Sequence, residues 1–237
     1  MKIALLGYGK MGKAIEKIAL ERGHDIVLKT SSSKPINKEV LKLANVAIEF
    51  SRPDAVVDNI NTCFDLGVPV VVGTTGWQED MIHIKNRCLD EGHSILYASN
   101  FSIGVNIFNE VNKKLAALIS HYPAYTSCIE ETHHINKIDK PSGTAILLAE
   151  GILENNGLLK QWKLDEDGED TLRIHSIREG DVPGTHKIVH ESEIDSITLI
   201  HEAKSRKGFA LGAILAAEFL PGKIGNYSMK DLLNLDL

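Results

Sequence analysis

The period of apolar and polar positions changes several times along the chain, and each change marks an element. Lys2 to Leu6 is a short apolar run, and Gly7-Tyr8-Gly9-Lys10-Met11-Gly12 follows at once. Met11, Ile15, Ile18 and Ala19 then recur at helical spacing, Gly23 stands where a helix would be capped, and Ile26-Val27-Leu28 predicts a second strand. Val46 to Phe50 reads as a strand. Ser51, Pro53 and Asp54 signal a helix start, with Ala55, Val56, Ile60 and Phe64 on its apolar face. Val68 to Val72 is continuously apolar, as strands buried on both faces of a parallel sheet are. Trp77 to Glu91 predicts a helix and Ser94 to Ala98 a further strand. This alternation predicts a Rossmann-type parallel sheet.

From Ile103 to Ile119 the spacing predicts one long helix with Val105, Phe108, Val111, Leu115 and Leu118 on a stripe facing the core. The period is two from Thr126 to Ile135, then helical again from Thr144 to Asn155, with Ile146, Leu147, Ala149, Ile152 and Leu153 as apolar positions. Thr171 to Arg178, Thr185 to Glu191 and Ser196 to Glu202 are strand candidates joined by short turns. They predict an antiparallel meander and, with the Thr126 strand, an open, mainly antiparallel sheet of at least four strands. Gly208 to Leu220 is an alanine-rich helix expected to return to the first domain, and a last helical turn is expected at Met229 to Leu233. The expected organisation is α/β: a dinucleotide-binding domain from residues 1–103 and 207–237, and an α+β domain from 104–206 for substrate and oligomer contacts.

Composition narrows the class. At 237 residues, with 43% hydrophobic and 24% charged residues, the chain is long enough and apolar enough to bury a core. A net charge of -6 argues against nucleic acid as a partner. No apolar run approaches the ~18 residues of a membrane span, and the N-terminal apolar run is too short for a signal peptide. Cys63, Cys88 and Cys128 are widely spaced, which points to a reducing compartment and away from a disulfide framework. A cytoplasmic protein is expected.

The glycine turn between a strand and a helix is the first candidate for chemistry. At Gly7, Gly9 and Gly12 the spacing suits a tight turn, a close approach to a pyrophosphate, and helix-strand packing, with the helix N-terminus facing the phosphates. Tyr8, Lys10 and Met11 belong to the same cofactor-binding turn. About 20 residues on, an acid is expected where NAD is bound through its ribose hydroxyls. Lys29-Thr30-Ser31-Ser32-Ser33-Lys34 has none, and its hydroxyls (Ser31 among them) and lysines suit a 2'-phosphate, so NADPH or dual use is expected over NADH alone. Gly73-Thr74-Thr75 and Ala98-Ser99-Asn100-Phe101 end strands on the edge where such a sheet binds its cofactor.

Glu130 to Ala145 is the second candidate. It holds His133, His134 and Lys137 in a loop that runs into Pro141-Ser142-Gly143-Thr144, a helix start whose N-H groups and hydroxyls can take a carboxylate. A small dianionic substrate suits this set. Adjacent histidines diverge on a strand, so both reach one pocket only if the strand ends near His133. With no further ligand at usable spacing, no metal is expected.

This segment resembles the signature of the dihydrodipicolinate reductase family, and the resemblance runs through the chain: Gly7 to Gly12, Gly73-Thr74-Thr75, Ala98 to Phe101 and Ser205-Arg206-Lys207-Gly208-Phe209-Ala210 fall in family order. The resemblance implies NAD(P)H-dependent reduction of a cyclic imine dicarboxylate in lysine and diaminopimelate biosynthesis. It implies His133 and Lys137 as the acid-base pair, with His134, Lys137, Ser142, Gly143 and Thr144 holding the substrate's carboxylates. It also implies a homotetramer joined through the second domain's sheet. An amino-acid dehydrogenase of the aspartate dehydrogenase type would share the first domain but not the Pro-Ser-Gly-Thr helix start. A non-catalytic NAD(P)H sensor would need neither His133 nor Lys137.

Overall fold

The computed structural model describes residues 1–205 and 207–235, so Arg206 of the late motif and the last two residues of the expected first domain lie outside the described residues. The chain divides into two compact units, Met1–Ile103 with Lys207–Leu237, and Gly104–Arg206.

The first unit is built on strands β1 (Lys2–Leu6), β2 (Asp25–Thr30), β3 (Val46–Glu49), β4 (Val70–Val72), β5 (Ser94–Tyr97) and, near the end of the chain, β11 (Gly225–Tyr227). They form one parallel sheet in the order β11-β5-β4-β3-β1-β2. Alternate residues of each strand bury on opposite faces, which is why these runs are continuously apolar. Ile3, Leu5, Val46, Ile48 and Val71 join the core under α1 (Lys10–Glu21), α7 (Lys207–Phe219) and α8 (Met229–Leu233). Ala4, Leu6, Ala47, Val70 and Val72 join the other core under α2 (Lys38–Leu41), α3 (Val56–Asp65) and α4 (Met81–Asp90).

Three local expectations shift. The helix signalled at Ser51 begins at Val56, because the Ser51 N-H donates to Thr74 Oγ1 at 2.8 Å and its hydroxyl donates to the buried carboxylate of Glu49. The helix expected from Trp77 opens as a 3-10 turn at Gln78–Asp80, since Trp77 is a core residue whose Nε1 donates to the Thr74 carbonyl at 2.7 Å. The three-residue strand β11 carries too little pattern to be read, and it is placed by pairing with β5.

The second unit has strands β6 (Thr126–His133), β7 (Gln161–Leu164), β8 (Thr171–Arg178), β9 (Thr185–Glu191) and β10 (Ser196–Glu202) in the order β10-β9-β6-β8-β7. This corrects the expected meander. Strand β6 lies between β8 and β9, parallel to the first and antiparallel to the second, so the sheet is mixed. The glycine-rich link taken for a hairpin turn instead wraps the end of β6: Glu179 N-H donates to the His133 carbonyl at 2.8 Å, and His134 N-H to the Val182 carbonyl at 2.9 Å.

Helices α5 (Ile103–Ile119) and α6 (Gly143–Asn155) cover one face of this sheet, around Phe108, Ala116, Ile129, Leu148, Ile152, Leu172, Ile174 and Ile188. Val105 and Phe108 of the α5 stripe are buried as expected, but further along the helix the buried face is rotated. Asn109, Asn112, Ala116 and Ile119 are buried, while Val111 and Leu118 are 46% and 63% exposed. The cause is polar: Asn112 Nδ2 donates to the Leu148 carbonyl at 2.9 Å, and Gly151 lets α6 approach Asn109 and Lys113. On α6, likewise, Ala145 and Leu148 bury ahead of Ile146 and Leu147.

Close packing at Gly212 gives a test of the first unit. A Cβ there would stand 1.7 Å from the Phe101 carbonyl oxygen, whereas one at Gly208 on the same helix would meet Ser102 Oγ at 3.9 Å. Gly212→Ala should destabilise the unit by about 1–3 kcal/mol through overpacking, and Gly208→Ala should not, as read by urea denaturation.

Candidate active site

In the first unit the glycine turn has the geometry a dinucleotide needs. Gly7 has φ +101°, and a Cβ on it would stand 2.1 Å from the Phe50 carbonyl oxygen; one on Gly12 would stand 2.4 Å from the Gly7 oxygen. Gly9, the N-cap of α1, has no side-chain cap bond and open space where its Cβ would be. Two glycines therefore permit close backbone packing, and the third leaves a gap at a helix N-terminus, a cradle that fits a pyrophosphate.

Two clefts meet at this turn. One, of about 560 Å³, is lined by Gly7, Tyr8, Gly9, Ser31, Ser32 and Arg52 among others. The other, of about 410 Å³, is lined by Gly9, Lys10, Met11, Gly73, Thr74 and Thr75, with Phe50 and Ser51 common to both. Ala98, Ser99, Asn100 and Phe101 follow β5 and are not among these lining residues; Asn100 Oδ1 accepts the Ser102 N-H at 2.8 Å, and Phe101 is buried against Phe50. Lys29, counted among the cations available to a phosphate, is committed: its Nζ lies 2.6 Å from Glu16 and over the Tyr8 ring, whose hydroxyl also donates to Glu16. Ser31 and Lys34 close a tight turn by two backbone bonds of 3.0 Å. Arg52 was missed, although its place just past β3 lies on the ligand edge of a parallel sheet.

In the second unit β6 does end at His133. The strand's alternation turns Ile129, Glu131 and His133 inward, and Glu131 is fully buried. One oxygen of that carboxylate lies 2.7 Å from His133 Nδ1. The other accepts from the Ser142 N-H at 3.1 Å, Ser176 Oγ at 2.7 Å and Arg178 Nη2 at 3.0 Å. The same guanidinium donates to the carbonyls of Lys137 and Asp139, at 3.2 and 2.6 Å. Lys137 Nζ pairs with Asp139 at 2.6 Å.

Ser142 is the N-cap of α6. It is 1% exposed; its hydroxyl accepts from the Ala145 N-H and lies 3.2 Å from His186 Nε2. The hydroxyl is therefore committed to the cap, and the open part of the helix start is exposed Gly143, where a Cβ would meet nothing within 4 Å. Thr144, next in the chain, and His134, just past the end of β6, are half-buried. Glu131, Ser176, Arg178, Gly184 and His186 were not singled out from the sequence. The period-two pattern of β6 did carry a signal for Glu131, which shares a face with Ile129 and His133.

Burial opposes the charge on Glu131, but the bonds from His133, Ser142, Ser176 and Arg178 outweigh it and hold the carboxyl well below its usual range. Burial, with the nearby His133, pushes His186 down to about 3, so it is neutral at ordinary pH. Glu131, His133 and His186 bring one potential ligand atom each within 4.8 Å of one another. The Arg178 guanidinium against that carboxylate disfavours a cation there.

A histidine buried neutral stabilises the fold above its unfolded value of about 6.5, and this is lost as pH falls toward its folded value. Between pH 7.5 and 5 the loss from His186 should be on the order of 2 kcal/mol. Urea denaturation at the two pH values should show a smaller loss for His186→Gln; equal losses would contradict this.

Comparison with known proteins bears on what this site serves. Residues 1–101 match the family described as dihydrodipicolinate reductase, N-terminus, and residues 104–233 the one described as dihydrodipicolinate reductase, C-terminus. The chain is 51% identical over 234 residues to the 4-hydroxy-tetrahydrodipicolinate reductase of Christiangramia forsetii, covering 99% of this chain and 98% of that one. It is 34% identical over 235 residues to the same enzyme of Thermosipho africanus, covering 98% of each. A dipicolinate-bound dihydrodipicolinate reductase from Paenisporosarcina shares the fold, with a TM-score of 0.77 at 24% identity over 96% of this chain and 97% of that one. Matched across both of its units, the chain belongs to the dihydrodipicolinate reductase family.

Proposed function

We propose that His133 and Lys137 are the acid-base pair of this NAD(P)H-dependent reductase, and that the start of α6 binds its dicarboxylate substrate. The family's reaction reduces dihydrodipicolinate, formed from 4-hydroxy-tetrahydrodipicolinate, to tetrahydrodipicolinate in lysine and diaminopimelate biosynthesis. One observation carries the assignment: the two oxygens of Glu131 tie His133 and the N-cap of α6 together, so a proton donor and an anion-binding helix start share one anchor.

Bound NAD(P)H supplies the hydride. The conjugated imine that accepts it must also take up a proton, and the His133 imidazolium is the donor, worth about 10²- to 10⁴-fold in rate. Gly143 and Thr144, at the helix N-terminus, receive one carboxylate, and His134 is assigned to the same substrate. Lys137 binds a second carboxylate in exchange for Asp139, which now neutralises it. Gly7 to Gly12 hold the pyrophosphate and Gly73 to Thr75 the next part of the cofactor, while Ala98 to Phe101, outside both clefts at the end of β5, are assigned to its far end.

The absence of an acid at the end of β2, with Ser31, Ser32 and Arg52 on one cleft, supports NADPH or dual use. The edge strand β10, with Ile200 61% exposed, supports a homotetramer joined through the second unit's sheet. No helix of the described residues is long and apolar enough to cross a membrane, and a cytoplasmic enzyme is the reading we favour.

With freshly generated 4-hydroxy-tetrahydrodipicolinate and NADPH, His133→Gln should lower kcat by about 10²-fold or more. Lys137→Ala should lower kcat and also raise the substrate KM; near-normal activity in the double variant would end the assignment. Arg52→Ala should raise the KM for NADPH several-fold and leave that for NADH nearly unchanged, and a wild type with strong NADH preference would overturn the cofactor reading.

A further inference from the structure

We propose that Glu131 is a positioning residue for His133, and that Arg178 fastens it to the loop carrying Lys137, so that one buried ion pair governs both acid-base groups. The inference rests on the reading of His133 as the proton donor.

His133 Nδ1 lies 2.7 Å from one Glu131 oxygen, an ion-pair contact rather than an aligned hydrogen bond, so the carboxylate stands against the Nδ1 side of the ring and Nε2 is left as the working atom. The Nε2 side of the ring lies over Gly184, where a Cβ would stand 2.9 Å from it; any larger residue would displace the imidazole. The other Glu131 oxygen accepts three donors from two segments: Ser142 at the start of α6, and Ser176 and Arg178 on β8. Such a carboxylate cannot rotate without stranding buried donors, so the imidazole it holds is fixed in place as well.

Arg178 adds the second link. Its side chain is 9% exposed, and the guanidinium donates both to Glu131 and to the carbonyls of Lys137 and Asp139. The bend carrying Lys137 therefore keeps register with β6 through one side chain.

The charged and titratable groups around His133 are Glu131 on its own strand, Arg178 opposite it on β8, His186 on β9 with its ring 5.1 Å away, His201 beyond it on β10, and Lys137 with Asp139 on the loop. The first turn of α6, Gly143 to Ile146, brings no charged side chain. His186 is neutral, Lys137 is paired with Asp139, and Glu131 is the anion in contact with the ring.

Two substitutions should act in opposite directions. Glu131→Gln keeps the shape and removes the anion, so the alkaline limb of the kcat/KM profile should move to lower pH by about one unit. Activity should then fall more at pH 8 than at pH 6. Arg178→Met removes a cation, so the limb should move to higher pH, while release of the Lys137 loop raises the substrate KM. The His133 ring resonance, identified by its loss in His133→Gln, can be titrated in the free protein, which tests the electrostatic link whether or not His133 is catalytic. A full-activity His133→Gln would refute the functional reading alone. An Glu131→Gln enzyme that is slower at every pH, with its limb and ring titration unmoved, would reduce Glu131 to a structural role and overturn the proposal. If Glu131→Gln does not fold, Arg178→Met decides: an unmoved or lowered titration overturns it.

Discussion

The second unit depends on how a carboxylate buried away from water is satisfied. Glu131 is fully buried, and an unpaired ion there would cost several kcal/mol. The fold answers with donors from β6, β8 and the start of α6. Those donors come from segments far apart in the chain, so satisfying one acid also fixes how strand, helix start and loop meet. Beside β8 and next to the start of α6, β6 offers its inward acid to a neighbouring strand and to a helix start at once.

The first unit solves a different problem, that of bringing backbone close to a large anion. Bulk is excluded at Gly7 and Gly12, where strand and helix already touch, and space is kept at Gly9. Around the turn the side chains that look available are largely engaged. Glu49 is buried at the end of β3, and although burial pushes its carboxyl up, donors from Ser51 and Asn59 reach one of its oxygens. Thr74 serves that same network, and Lys29 is held by Glu16. Hydroxyls and amines counted from sequence as ligands for a cofactor are in part the framework that shapes the clefts.

A similar division holds in the loop from Glu130 to Ala145. Its helix start is used twice, once by the protein through Ser142 and once, in the proposed function, by the substrate at Gly143. The N-cap is a side-chain oxygen turned inward, so the residue most suggestive of ligand binding is the one the fold consumes, and the residue without a side chain is left open.

Much of this was legible in the sequence, because period and punctuation are local properties. The strands from Lys2 to Leu6 and from Thr171 to Glu202, the long helix from Ile103, the glycine turn and the two-unit alternation all follow from spacing that neighbouring residues impose on one another. The period alone ran on to Ile135, and the end of β6 at His133 meets the condition that adjacent histidines set for sharing one pocket. Strand order, the rotated face of α5 and the partners of Glu131 were not legible. Each depends on residues brought together across the chain: β6 inserted between β8 and β9, Asn112 meeting Leu148, Arg178 meeting Glu131 and the Lys137 loop. Sequence determined which elements form and which groups carry the chemistry; tertiary structure decided which of those groups remain free, because a hydrogen-bond partner distant in sequence leaves no local pattern.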